Sequence, residues 1–172
     1  MAYVLEAVIG KQTVLANIAT PGTCQVTLQD GFGMIPVTDK LIQALKATNE
    51  LAAAEPIERF GKFSDSVASW LGEISQKGPV AYVEIETFGG SGEKAAIVYK
   101  NGAAVLGPLH REDAVNHALH FLGVQSIPPR SSASLSEDFS ARGMNYAKGE
   151  RDEFDQLNLG RHRFTRDWVE TA

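Results

Sequence analysis

Cysteine is nearly absent from this sequence, since Cys24 is the only one among 172 residues. A single thiol cannot form an intrachain disulfide, so noncovalent packing must hold the fold together. An unpaired cysteine is also typical of proteins kept in a reducing compartment. We therefore expect a cytoplasmic protein that folds without a disulfide framework.

The sequence also lacks long apolar runs and an excess of cations. No run approaches the ~20 residues that a membrane-spanning helix requires, and the first twelve residues contain Glu6 but no basic stretch typical of a secretory signal. Acidic residues outnumber Lys and Arg by 21 to 16, and the pI is about 5.4. Because binding to a phosphate backbone usually needs a clustered positive surface, we expect neither a nucleic acid nor a membrane as partner.

The chain divides by composition near Ser126. Residues 1–125 carry most of the periodic apolar segments and are predicted to form one domain, because a single core usually serves roughly 100–200 residues. Residues 126–172 form a charged extension whose start contains the segment IPPRSSASLS. This extension still holds six large apolar residues: Phe139, Phe154, Leu157, Leu159, Phe164 and Trp168. We predict short helices that dock on the body or on a second copy, the latter giving a homodimer.

The apolar periodicity predicts strands grouped in blocks rather than alternating with helices. Strands are predicted at residues 2–9, 13–19, 25–28, 32–37, 80–88, 94–100 and 103–106. Helices are predicted from Thr38 or Asp39, from Ser64 or Asp65 to the Gly78-Pro79 stop, and from about Arg111 to Leu122. This order favours an α+β fold, with an antiparallel or mixed sheet, helices packed on one face and a partly helical C-terminal tail.

A glycine-rich segment, FGGSGEK at residues 88–94, brings three glycines close together. Such a segment allows backbone amides to approach a phosphate. A phosphate-binding loop, however, needs GxxxxGK followed by Ser or Thr and a helix, whereas Lys94 precedes a predicted strand. The segment is therefore interpreted as a turn between two strands.

Alternation along the strand at residues 80–88 places Tyr82, Glu84 and Glu86 on one face. Two carboxylates beside an aromatic residue are able to act as a general acid and base, or to bind a ligand near the glycine-rich turn. The competing interpretation is a solvated strand face whose acids pair with Lys94 or Lys100 across the hairpin. We expect no catalytic residue here, and keep a small enzyme or ligand-binding module as the alternative.

Asp113, His117 and His120 recur at helical spacing near the end of the body. Three such side chains are able to hold a zinc ion with one coordination position open. The apolar residues of the same helix occupy the opposite arc, so the histidines are predicted to face solvent. We therefore expect no metal and no cofactor.

The end of the tail, RHRFTRDW at residues 161–168, mixes cations with aromatic residues. This pattern is found where proteins stack on bases or grip an acidic partner. Phe164 and Trp168 also stand four residues apart, as a helix docking its apolar side requires. Docking is the favoured interpretation, and both residues are predicted to take part in binding to the body or to a second copy.

Three segments carry a resemblance to known proteins: AYVEIETFGGSG at residues 81–92, AAIVY at 95–99 and AVNHALHFLGV at 114–124. Over about residues 70–124 the chain resembles small uncharacterised bacterial proteins that have a strand with alternating acids, an FGG turn, a hairpin and a helix ending in LGV. The resemblance implies a bacterial cytosolic accessory protein. It transfers no catalytic residue.

The net negative charge lies mainly on residues 1–125, which contain thirteen acidic and nine basic residues. An acidic surface attracts basic proteins and repels acidic ones. We therefore expect a protein-binding or accessory protein, of the kind that inhibits or confers immunity against a basic protein.

Overall fold

A computed structural model describes residues 2–48, 57, 59–88, 91–125 and 153–170. Its centre is a six-stranded antiparallel sheet with the order β2-β3-β1-β4-β5-β6. The strands are β1 Ala2–Lys11, β2 Val26–Thr27, β3 Phe32–Pro36, β4 Val80–Phe88, β5 Ser91–Lys100 and β6 Ala103–His110. Together with the helices, this sheet confirms the predicted α+β class.

The helices of the described residues are short. They are α1 Gln12–Leu15, α2 Asp39–Thr48, α3 Asp65–Ile74, α4 Ala114–Phe121, α5 Glu153–Gln156 and α6 Thr165–Glu170. Single 3₁₀ turns cover Ser75–Lys77 and Leu159–Arg161. The predicted cap of α2 is present, since the Thr38 hydroxyl accepts the Leu41 N–H at 3.3 Å. The longest helices in the described ranges, α2 and α3, have ten residues, so none of these helices could span a bilayer.

The helices cover both faces of the sheet, whereas the sequence pattern predicted helices on one face. α2 and α3 pack on the face that carries Val8, Tyr82 and Ile97. α4 and the C-terminal helices pack on the opposite face, over Leu5 and Val83. Strand β4 explains this arrangement. Five of its first six residues are buried, and they point alternately to the two faces of the sheet. A strand that is apolar on both sides needs a layer on each.

One predicted strand, at residues 13–19, is wrong. Residues 12–15 form a single helical turn, and β1 pairs with β3 and β4 instead of with a following hairpin strand. Leu15 of this turn is only 2% exposed and belongs to the core cluster on the α2/α3 face of the sheet. Leu15 therefore packs over the sheet, and its segment crosses β1 and β3 rather than extending them.

The predicted strands of the second half are present, but β5 begins at Ser91 rather than at residue 94, and β6 continues to His110 rather than ending at residue 106. β4 and β5 pair from Val80↔Tyr99 to Phe88↔Ser91, with Gly89 and Gly90 of the glycine-rich segment outside the described residues. The β5–β6 turn is Asn101-Gly102, and both residues have positive φ angles, 53° and 84°. These angles match a type I′ turn, which is the turn that Asn-Gly favours.

The described part of the tail packs on the body of the same chain. Phe154, Leu157, Leu159 and Trp168 join the core beneath α4. The N–H of Val4 donates to the Arg163 carbonyl at 2.7 Å, and the Tyr3 hydroxyl donates to the Leu159 carbonyl at 2.9 Å. The predicted helical, docking tail is therefore present in residues 153–170. Phe139 and the rest of residues 126–152 lie outside the described residues.

Candidate functional site

The candidate site is a cleft of about 290 Å³ on the α2/α3 side of the sheet, at the C-terminal half of β4. Four carboxylates line it: Glu6 of β1, Glu84 and Glu86 of β4, and Glu93 of β5. Strand pairing explains the convergence, because Glu6 lies opposite Glu84 and Glu86 lies opposite Glu93. The loop at residues 59–61 forms the other wall.

Glu84 is held by four donors. Its Oε1 accepts the Tyr82 hydroxyl at 2.5 Å and the N–H groups of Lys62 and Phe63 at 2.8 and 3.1 Å. Its Oε2 accepts the Gly61 N–H at 2.6 Å. Hydrogen bonds to an ionised acceptor are about twice as strong as neutral ones. Glu84 therefore anchors the loop that forms the cleft wall, and its oxygens already have partners.

Tyr82 lies inside the molecule rather than in the cleft. Its ring is fully buried and contacts those of Phe60 and Phe63, with centroids 6.1 and 5.1 Å away. Burial raises the pKa of the Tyr82 hydroxyl well above its usual value, and the negative charges of Glu84 and Glu6 add to the rise. The hydroxyl is therefore protonated at neutral pH and donates to Glu84.

Glu6 is partly neutralised by its neighbours. Its Oε2 accepts the Thr165 hydroxyl at 2.5 Å and lies 3.4 Å from Nζ of Lys62. Lys62 also contacts Oδ1 of Asp39 at 3.3 Å and donates to the Val37 carbonyl at 3.1 Å. This network ties the cleft to the C-terminal tail through Thr165.

Glu86 and Glu93 differ from the other two acids. Both are exposed, and neither has a hydrogen-bond or ion-pair partner among the residues that the structure describes. Arg59 also lines the cleft and is exposed, yet within the described ranges it forms no ion pair. Like charges directly opposite each other in a sheet repel. Glu86 and Glu93 therefore form a pair of adjacent, exposed carboxylates in the cleft, without an ion-pair partner among the described residues.

This repulsion predicts that Glu93→Gln stabilises the protein. Removing one of the two facing charges should raise the free energy of unfolding by about 0.2–1 kcal/mol at low salt, with a smaller gain at high salt. Urea unfolding at two ionic strengths measures both effects. A loss of stability in Glu93→Gln would show that its carboxylate has a partner.

The residues considered as metal ligands are on α4 and its N-terminal flank. Asp113 and His117 contact each other at 3.5 Å, and Asp113 also contacts Nε of Arg111 at 2.6 Å. His120 instead faces Glu153, at 3.4 Å. The described residues contain no group of three or more His, Cys, Asp or Glu side chains arranged to hold a metal ion. The three candidate ligands therefore do not converge, because His120 pairs with Glu153 rather than with Asp113 and His117.

Phe164 and Trp168, the two tail residues predicted to take part in binding, differ in how far they are buried. Trp168 is only 1% exposed and belongs to the core of its own chain, so its side chain is not at the surface to meet a partner. The Arg161 guanidinium lies over its ring at 4.8 Å. Phe164 is half-buried, with the Arg166 guanidinium 5.1 Å above its ring, and its backbone bridges to Val4.

Sequence reasoning placed Glu84 and Glu86 on one face but missed Glu6, Glu93 and the loop at residues 59–63. Glu93 could have been predicted, because Glu86 and Glu93 lie on the two strands that flank the glycine-rich segment and these strands pair with each other. Glu6 and the loop come from distant parts of the chain and have no local signal. No family model, curated protein sequence or solved structure matches the chain.

Proposed function

We propose that this protein binds a basic partner protein by accepting a Lys or Arg side chain between Glu86 and Glu93. The observation that carries the proposal is the strand register, which puts these two exposed carboxylates directly opposite each other, and neither has a partner among the described residues. A cation between them replaces repulsion by attraction and gains charge-assisted hydrogen bonds to both. An Arg guanidinium, with its planar set of donors, suits such a pair especially well.

The surroundings support a side chain rather than a free inorganic cation. Phe88 follows Glu86 on the same face of β4 and is 54% exposed. Lys and Arg bury their methylene stems on apolar surface while the charged group reaches polar partners. Phe88 is well placed for such a stem. The acidic excess of the body would also accelerate encounter with a basic protein.

A partner of this kind fits an inhibitor or immunity-type role, in which the acidic cleft would cover a functional cation of a basic enzyme. The alternative of an enzyme built on Tyr82, Glu84 and Glu86 has less support. Tyr82 is buried and donates to Glu84, and both oxygens of Glu84 are engaged. General acid–base chemistry needs a group within reach of the substrate proton. Of these three residues, only Glu86 would be available for that role.

The test uses a short fluorescent peptide of alternating lysine and glycine as probe, with a glutamate-containing peptide as its control. At low salt the protein should bind the lysine peptide and ignore the other. The double variant E86Q/E93Q should weaken binding about tenfold or more. A matched variant, E73Q/E170Q, removes two exposed acids elsewhere and should change affinity by less than about twofold.

Two outcomes would contradict the proposal. Equal weakening by the two double variants would assign binding to overall charge rather than to the cleft. A wild-type protein that fails to bind the lysine peptide at low salt would remove the basis for a cation-accepting site.

A further inference from the structure

A small cavity lies between the docked tail and the segment that joins β2 to β3. Its volume is about 130 Å³. Thr27 and Leu28 line it from the body, and Leu157, Arg161 and Trp168 line it from the tail. It shares no described lining residue with the acidic cleft, so it is a separate feature of the surface.

The charge of this cavity is opposite to that of the cleft. None of the described residues that line it is acidic, and Arg161 is the only charged one among them. Arg161 is exposed and forms no ion pair within the described ranges. A guanidinium is always charged and offers five donors but no acceptor, so the cavity favours an anion.

Contacts within the tail hold Arg161 in place. Its guanidinium lies 4.8 Å from the centre of the Trp168 ring, and its Nε donates to Nε2 of His162 at 3.2 Å. The 3₁₀ turn that carries Arg161 is fixed to the body by the Tyr3 hydroxyl, which donates to the Leu159 carbonyl. The other guanidinium nitrogens have no hydrogen-bond partner in the part of the chain that the structure describes. They therefore remain available to a ligand in a fixed, planar arrangement.

Two further donors belong to residues that line the cavity. The indole Nε1 of Trp168 is buried and has no hydrogen-bond partner among the described residues. Buried polar groups nearly always have a partner, so an acceptor bound in the cavity would supply the missing one. On the body side, Oγ1 of Thr27 accepts Nε2 of Gln12 at 2.9 Å, which leaves the Thr27 hydroxyl hydrogen to donate.

We propose that this cavity binds a short aliphatic carboxylate, such as propionate. The carboxylate accepts hydrogen bonds from Arg161 and from the Trp168 indole, and the planar donors of arginine match its two oxygens. The buried side chains of Leu28 and Leu157 form an apolar wall for the carbon chain, which a phosphate ion does not have. A water molecule occupies about 30 Å³ in the liquid, so the cavity has room for about four groups of that size. This room suits a small acid.

The test is an NMR titration of the isotope-labelled full-length chain with propionate, at constant ionic strength set by sodium chloride. The chain has two tryptophans and therefore two indole N–H signals. The Trp168 signal should move downfield and saturate at millimolar propionate, because its N–H gains an acceptor. The Trp70 signal is the internal control, since its N–H already donates to Oγ1 of Thr20 at 3.1 Å. Propionamide, which has a similar shape but no charge, should leave both signals in place.

Two arginine variants test the assignment to this cavity. Arg161→Gln should raise the Kd for propionate about tenfold or more, because it removes the charge and the paired donors. Arg163→Gln removes another exposed arginine of the same tail segment, one that is not among the residues lining the cavity, and should change the Kd by less than about twofold. Equal melting temperatures of both variants and wild type would confirm that they are folded. If Arg161→Gln does not fold, the comparison of propionate with propionamide on the wild-type chain still decides.

Three results would overturn the proposal. The first is a Trp168 signal that ignores propionate or responds equally to propionamide. The second is equal weakening by Arg161→Gln and Arg163→Gln, which would assign binding to the overall charge of the tail. The third is displacement of propionate by the glutamate-containing peptide, which would identify the ligand as an acidic side chain of another protein rather than a free acid.

Discussion

Glu84→Gln should lower the free energy of unfolding by about 2–4 kcal/mol at pH 7. The substitution keeps the size of the side chain but removes the charge and replaces one acceptor oxygen by an amide that cannot accept. The backbone N–H groups of Gly61, Lys62 and Phe63 and the Tyr82 hydroxyl then compete for one oxygen. Urea unfolding measures the loss.

Glu86→Gln is the matched control, because it lies two residues further along the same face and has no partner among the described residues. It should change stability by no more than about 0.5 kcal/mol, or raise it slightly by relieving the repulsion with Glu93. If Glu84→Gln were equally mild, the hydrogen bonds of Glu84 would not hold the cleft wall.

Trp168→Ala should cost about 3–5 kcal/mol, the usual penalty for removing a large aromatic side chain from a core. Trp168 is 1% exposed and packs in the same cluster as Leu159 and the residues of α4. The loss should be the same at every protein concentration, because the described tail docks on its own chain. Thermal and urea unfolding at two concentrations measure both points.

Val169→Ala supplies the comparison for this second change. Val169 is the next residue, on the exposed side of α6, and its truncation should cost less than about 0.5 kcal/mol. A Trp168→Ala protein as stable as wild type would mean that the tail contributes little to the fold. A loss that depended on concentration would indicate that the tail docks on a second copy.

The parts of the fold that local patterns determine were predictable. α3 places Val67, Trp70, Leu71 and Ile74 at helical spacing, and the structure buries all four. The Asn101-Gly102 turn fixes its hairpin without help from distant residues. In contrast, the β-branched segment at residues 13–19 predicted a strand. Its helical turn instead buries Val14 and Leu15 in the core on the α2/α3 face, a contact that only the assembled sheet provides.

The same limit applies to the cleft. The period of two along β4 correctly placed Glu84 and Glu86 on one face. It did not show that they have different roles, because that difference depends on the loop at residues 61–63, more than twenty positions away in sequence. Likewise, the spacing of Phe164 and Trp168 predicted a docking helix but not that Trp168 would be fully enclosed.

The central claim, that a cationic side chain binds between Glu86 and Glu93, is tested most directly by NMR titration of the isotope-labelled protein with the lysine–glycine peptide. The account predicts saturable shifts of the backbone amides around the cleft, at Gly61, Glu86 and Glu93, and their loss in E86Q/E93Q. Shifts spread evenly over the acidic surface, or centred on acids outside the cleft such as Glu73, would contradict it.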